Sequence, residues 1–124
     1  MTEPASPGSN RRLAARRPAK SRVKIVCRRG ALDLGPNVAV SLLDVSETGA
    51  RLIVKDALQP GREVSISLEG QSTIRPIPRV GGVAWCVPAA DGNFCVGVNF
   101  QKRLPYRDFL EMSREPAKEV VSSQ

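Results

Sequence analysis

Histidine is missing altogether from this chain of 124 residues. Without an imidazole, no Ser–His or Cys–His pair can activate a nucleophile within one chain. There is no G-x-x-x-x-G-K-[ST] phosphate loop, and no pair of carboxylates stands apart from ordinary surface charge. The chain therefore reads as a non-enzyme. Cysteine is scarce, with Cys27, Cys86 and Cys95 as the three examples and no C-x-x-C among them. Three thiols cannot all pair within one chain, and zinc would need carboxylates in unusual roles. No metal is expected, and the cysteines read as small buried apolar groups on strand-like runs. One Trp, one Tyr and three Phe are too few for the stacking platform of a single-strand-binding barrel. Finally, no run of about 18 apolar residues is present to span a membrane. Residues 1–10 lack the apolar core of a secretory leader, so a cytoplasmic location is expected.

Charge is plentiful, and its distribution matters more than its total. The net formal charge is +7. Residues 1–22 hold six Lys/Arg against the single acid Glu3, residues 23–102 hold nine against seven, and residues 103–124 hold four against four. The excess is thus a basic N-terminal arm on a nearly neutral body. Such a distribution suits a compact anionic ligand, an RNA or an acidic membrane surface. A chain of this length supports one domain with one modest core.

Hydrophobic periodicity points to strands. In Arg22–Arg28, Val23, Ile25 and Cys27 alternate with polar residues, although Val26 breaks the pattern. Residues 37–45 form a β-branched apolar run, Glu47-Thr48-Gly49 a turn, and residues 50–54 a third strand. Val64–Leu68 alternates again. Residues 74–87 read as a longer strand interrupted by Pro76, Pro78 and Gly81-Gly82, which suggests an edge or a bulge. Ala90–Asn93 is a hairpin turn, and Phe94, Val96, Val98 and Phe100 share one face. From Tyr106 to Met112 the period changes, and Leu104, Phe109 and Met112 fit the apolar side of a short helix with Pro105 at its start. The expected fold is all-β: a small antiparallel barrel of about six strands with a short C-terminal helix over an open end or edge. Residues 1–10 are expected as a disordered tail, 11–113 as the domain with its basic arm, and 114–124 as a second tail.

Two segments concentrate the binding chemistry. Arg11-Arg12-Leu13-Ala14-Ala15-Arg16-Arg17 places guanidinium groups at i and i+4, Arg12 and Arg16, ahead of the first strand. Arginine binds phosphate through two parallel donors, pairs with guanine O6 and N7, and stacks on purines. Asp44-Val45-Ser46-Glu47-Thr48-Gly49 sets a carboxylate and a hydroxyl two residues apart, on one strand face by the two-residue period, before a turn glycine. Each has a plain alternative: a solvated basic tail, and side chains that only satisfy turn amides. Trp85 is expected in the barrel core or as a lid contact.

Taken together, the segments resemble the signature elements of the PilZ family, RxxxR followed by (D/N)xSxxG. The resemblance covers roughly residues 11–112, including Cys95–Phe100, which is similar to the family's last strand. PilZ domains are bacterial β-barrels, and many bind cyclic di-GMP. The resemblance implies that Arg12 and Arg16 contact phosphate and base, while Asp44 and Ser46 face the ligand. Gly49 is expected to supply a backbone conformation costly to other residues. Arg11 and Arg17 flank the pair, and Arg51 could reach the same surface.

The expected function is a cyclic di-GMP receptor, with no cofactor, whose arm closes over the ligand and relays the signal to a downstream protein. A good bidentate contact contributes about 1–3 kcal/mol and micromolar binding needs about 8 kcal/mol, so a few arginines with a carboxylate and a hydroxyl suffice. The rival readings are a PilZ-like protein-interaction module without nucleotide binding, and a basic-arm RNA-binding barrel.

Overall fold

Alternating apolar residues build the sheet, as the sequence leads one to expect. A computed structural model describes residues 16–20, 23–70 and 75–113. The expected tails at 1–10 and 114–124 lie outside the described residues, as do Arg11 and Arg12. The strands are β1 (Arg17–Pro18), β2 (Lys24–Arg29), β3 (Ala39–Val45), β4 (Gly49–Val54), β5 (Glu63–Glu69), β6 (Ile77–Pro88) and β7 (Phe94–Phe100), followed by helix α1 (Tyr106–Met112). They form one antiparallel sheet in the order β1-β3-β4-β7-β6-β5-β2, curled into a half-barrel. The all-β reading with a short C-terminal helix holds. The strand added to the expected six is the two-residue β1.

The period-2 runs place their apolar members inward. Ile25 and Cys27 from β2, Val64, Ile66 and Leu68 from β5, and Val96 and Val98 from β7 meet Leu52 and Val54 in a single core. Phe94 and Phe100 pack half-buried at its margin. Each fully buried Leu or Ile in such a core contributes about 1.5–3 kcal/mol.

Asn37 helps to hold the β2 and β3 ends of the sheet together. The Val38 N–H donates to the Cys27 carbonyl at 2.8 Å. Beside it the Asn37 Oδ1 accepts from the backbone N–H groups of Cys27 and Ala39, each at 2.9 Å. Two bulges in β3, between Ala39 and Ser41 and between Leu42 and Asp44, sharpen its bend.

Helix α1 follows Pro105, whose φ of −59° suits a helix start. Leu104, Phe109 and Met112 are all buried against the barrel, as their spacing predicts. The short strand β1 and the two residues after it lie between β3 and the helix end. The Ala19 N–H donates to the Leu43 carbonyl and the Lys20 N–H to the Met112 carbonyl, both at 3.0 Å, while Ala19 bridges Ser113.

Candidate functional site

The β3–β4 hairpin carries the Asp-x-Ser-x-x-Gly segment and fixes most of its geometry. The Ser46 N–H donates to the Gly49 carbonyl at 2.8 Å, which closes a four-residue turn. The turn is then held from outside: Phe100 N–H donates to the Thr48 carbonyl at 2.8 Å, Leu104 N–H donates to the Glu47 carbonyl at 2.7 Å, and Arg103 Nη2 lies 2.8 Å from Glu47 Oε1.

Ser46 sits one residue beyond the strand and is 2% exposed. Its Oγ accepts from the Thr48 N–H at 3.2 Å and donates to the Gly49 carbonyl at 3.3 Å. The hydroxyl is thus engaged within the turn, rather than sharing an open strand face with Asp44.

Gly49 departs from its expected role. Positive φ occurs at Gly30, Gly35, Gly61 and Gly92, but not at Gly49. What requires glycine is proximity: a Cβ there would lie 2.4 Å from the Val98 carbonyl oxygen on β7. A side chain would collide with backbone that is itself fixed in the sheet.

Asp44 lies at the centre of an ion cluster. Arg16 Nη1 is 3.0 Å from its Oδ1, and Arg51 Nε donates to its Oδ2 at 2.6 Å with Nη2 bonded to the same oxygen. The carboxylate side chain is 8% exposed, whereas the Arg16 and Arg51 side chains are 44% and 45% exposed. The hydrogen bond from Asp44 raises the Arg51 pKa, against the opposing effect of burial. Two guanidinium groups around one carboxylate leave a net positive charge open to solvent. An anion arriving there can take up donors on both arginines.

Register extends this cluster across the sheet. Pro18 stands opposite Asp44, Asp44 opposite Arg51, Arg51 opposite Gly97 and Gly97 opposite Trp85. The indole covers Gly97 so closely that a Cβ there would lie 2.5 Å from Trp85 Nε1 and Cε2. Trp85 is 36% exposed on the outer face, which corrects the expectation of a core position. A bulge in β6 between Val83 and Trp85 shifts its register, and no periodicity in the sequence reveals that shift. The pairing of Trp85 with a glycine two strands from Asp44 is the part of the site that sequence reasoning missed.

Arg17, expected beside Arg16, does not join the cluster. Its guanidinium carbon lies 5.2 Å from the Phe109 ring centroid. Among the described residues, no group of three His, Cys, Asp or Glu comes together to hold a metal. No helix among them is long and apolar enough to cross a membrane. Cys27, Cys86 and Cys95 are all free thiols, and burial pushes the Cys27 thiol up to about 11.

No curated protein matches the chain. A family profile does, and it spans the features described above: the arm strand, the Asp44–Gly49 hairpin, the row of partners across β4, β7 and β6, and the terminal helix. The profile is that of the PilZ domain, matched over residues 10–112, and the chain belongs to that family.

Proposed function

We propose that this protein is a cyclic di-GMP receptor, with the Arg16–Asp44–Arg51 cluster as the centre of its binding surface. The observation that carries the reading is the arrangement of two half-exposed arginines around one buried carboxylate. Membership of a family known for cyclic di-GMP receptors and adaptors supports it. The ligand offers two phosphodiesters and two guanines. Its phosphates and guanine acceptor edges suit Arg16 and Arg51, while Asp44 can accept from a guanine N–H. Trp85 presents an aromatic face next to Arg51 across Gly97, a place for a base to stack.

In this mechanism Arg12 closes from the arm onto ligand already held by Arg16. The arm's arginines are satisfied by phosphate only in the bound state, and that difference drives the ordering. The closed arm then forms a surface for a downstream protein.

Isothermal titration with cyclic di-GMP tests the proposal. We expect binding in the micromolar range, weakened at least about tenfold by Arg16→Ala and unaffected by Lys118→Ala. Folded protein that gives no heat at tens of micromolar overturns it and leaves the nucleotide-free interaction module. A preference for ribo-oligomers over the cyclic dinucleotide at moderate salt would favour the RNA-binding barrel instead.

A further inference from the structure

The two most exposed large apolar side chains belong to one loop. Leu32 is 79% exposed and Leu34 67% exposed, both between β2 and β3. This end of the barrel also carries the end of β4 and the start of β5, away from the Asp44–Gly49 turn. A lone exposed leucine needs no explanation, but two on one fixed loop do.

The loop is built to hold them in place. Ser65, 4% exposed on β5, donates its hydroxyl to the Gly30 carbonyl at 2.7 Å and accepts the Asp33 N–H at 2.9 Å. Arg28 donates from Nε to the Gly35 carbonyl at 2.8 Å and from Nη1 to Asp33 Oδ1 at 3.2 Å. The Gly30 N–H closes the base on the Glu63 carbonyl at 2.9 Å. Asp33 itself takes a left-handed conformation with φ of +58°, which costs energy for any residue other than glycine. A buried serine and a strand arginine are thus used to fix a loop whose leucines bury nothing within the chain.

The charge around the loop identifies the partner's sign. Each acid at this end is already engaged: Asp33 with Arg28, Asp56 with Arg29, and Glu63 with Gln101. Lys55 and Arg62 have no side-chain partner among the described residues. Arg62 lines a cleft of about 480 Å³ that begins at Gly30, the foot of the loop. The residual charge is positive.

We infer that the Leu32–Leu34 loop is a preformed protein-docking knob for an amphipathic, acidic peptide segment of a partner protein. The partner's apolar side chains cover the leucines, and its carboxylates meet Lys55 and Arg62. Fixing the loop in advance removes an ordering cost from binding. A bilayer fits less well, because the Asp33 carboxylate projects between the two leucines and would have to enter the lipid headgroup layer with them. This surface is separate from the nucleotide site proposed above and does not depend on it.

The test uses phage-displayed random dodecapeptides selected on the full chain and counter-selected on the L32D/L34D double variant. We expect peptides rich in leucine or aromatic residues and in Asp or Glu. They should bind the wild type at least about tenfold more tightly than L32D/L34D, with Ser65→Ala intermediate. Circular dichroism and thermal unfolding establish that the variants are folded. Three results would overturn the proposal: selected peptides that bind wild type and L32D/L34D alike, or no selected peptides at all; phosphatidylcholine–phosphatidylglycerol vesicle binding that L32D/L34D abolishes, which makes the occupant a lipid surface; and sedimentation showing a dimer lost in that variant, which makes it a second copy.

Discussion

Arg16 and Arg17, adjacent in the chain, are engaged with different elements: Arg16 reaches Asp44 at 3.0 Å, and Arg17 lies 5.2 Å from the centre of the Phe109 ring. Successive residues of an extended chain point to opposite sides. The arm therefore joins the ion cluster of β3 and β4 to the terminal helix within two residues. Backbone bonds from Ala19 and Lys20 to Leu43 and Met112 reinforce this link.

Removing the Arg17 side chain should loosen the helix without touching Asp44. A cation over an aromatic face contributes about 0.5–1 kcal/mol at partly exposed sites. Arg17→Ala is expected to lose about that much in urea denaturation, with faster amide exchange confined to α1. A loss of several kcal/mol would show that Arg17 does more than cover the ring.

Asp44→Ala should separate stability from binding. The two arginines it frees are nearly half exposed and can be solvated, so the cost to folding is about 1 kcal/mol or less. If Asp44 contacts the ligand, affinity for cyclic di-GMP falls at least about tenfold. Denaturation and titration of the same preparation measure both quantities.

Two glycines in neighbouring strands should behave oppositely. A Cβ at Gly49 would lie 2.4 Å from the Val98 carbonyl oxygen, whereas at Gly82 it would meet nothing within 4 Å. Gly49→Ala is expected to cost about 2 kcal/mol or more, as overpacking against fixed backbone does. Gly82→Ala should stay within about 0.5 kcal/mol of wild type.

Gly97→Ala reports on Trp85. The new methyl would strike the indole, which is exposed enough to swing outward. Because Trp85 is the only tryptophan, its emission should shift to the red while stability changes little. An unchanged spectrum would mean that the indole does not cover Gly97 in solution.

Cys27 predicts a loss of stability in alkali. Its thiol is raised from 9.0 to about 11 by burial, with Arg29 opposing. In the unfolded chain it ionises near its ordinary value, so between those limits the folded state holds more protons and stability falls as pH rises. The slope of unfolding free energy between about pH 9 and 11 should be shallower in Cys27→Ala. In the native protein, alkylation should reach the half-buried Cys86 and Cys95 before Cys27.

Much of this molecule is legible in the chain as written. The alternation in Val64–Leu68 and Phe94–Phe100, and the change of period at Tyr106–Met112, state which faces are buried because side-chain direction follows directly from backbone repeat. The arginines and the Asp-x-Ser-x-x-Gly segment give the family before any coordinates. Other features depended on the sheet closing. Gly49 requires its glycine because Val98, half the chain away, presents a carbonyl there. Trp85 sits beside Arg51 because a bulge resets the β6–β7 register. Arg17 leaves the cluster because α1 brings Phe109 under it. Local sequence dictates which face a residue takes, but a neighbour from another strand is set by pairing register and curvature, and these are properties of the assembled sheet.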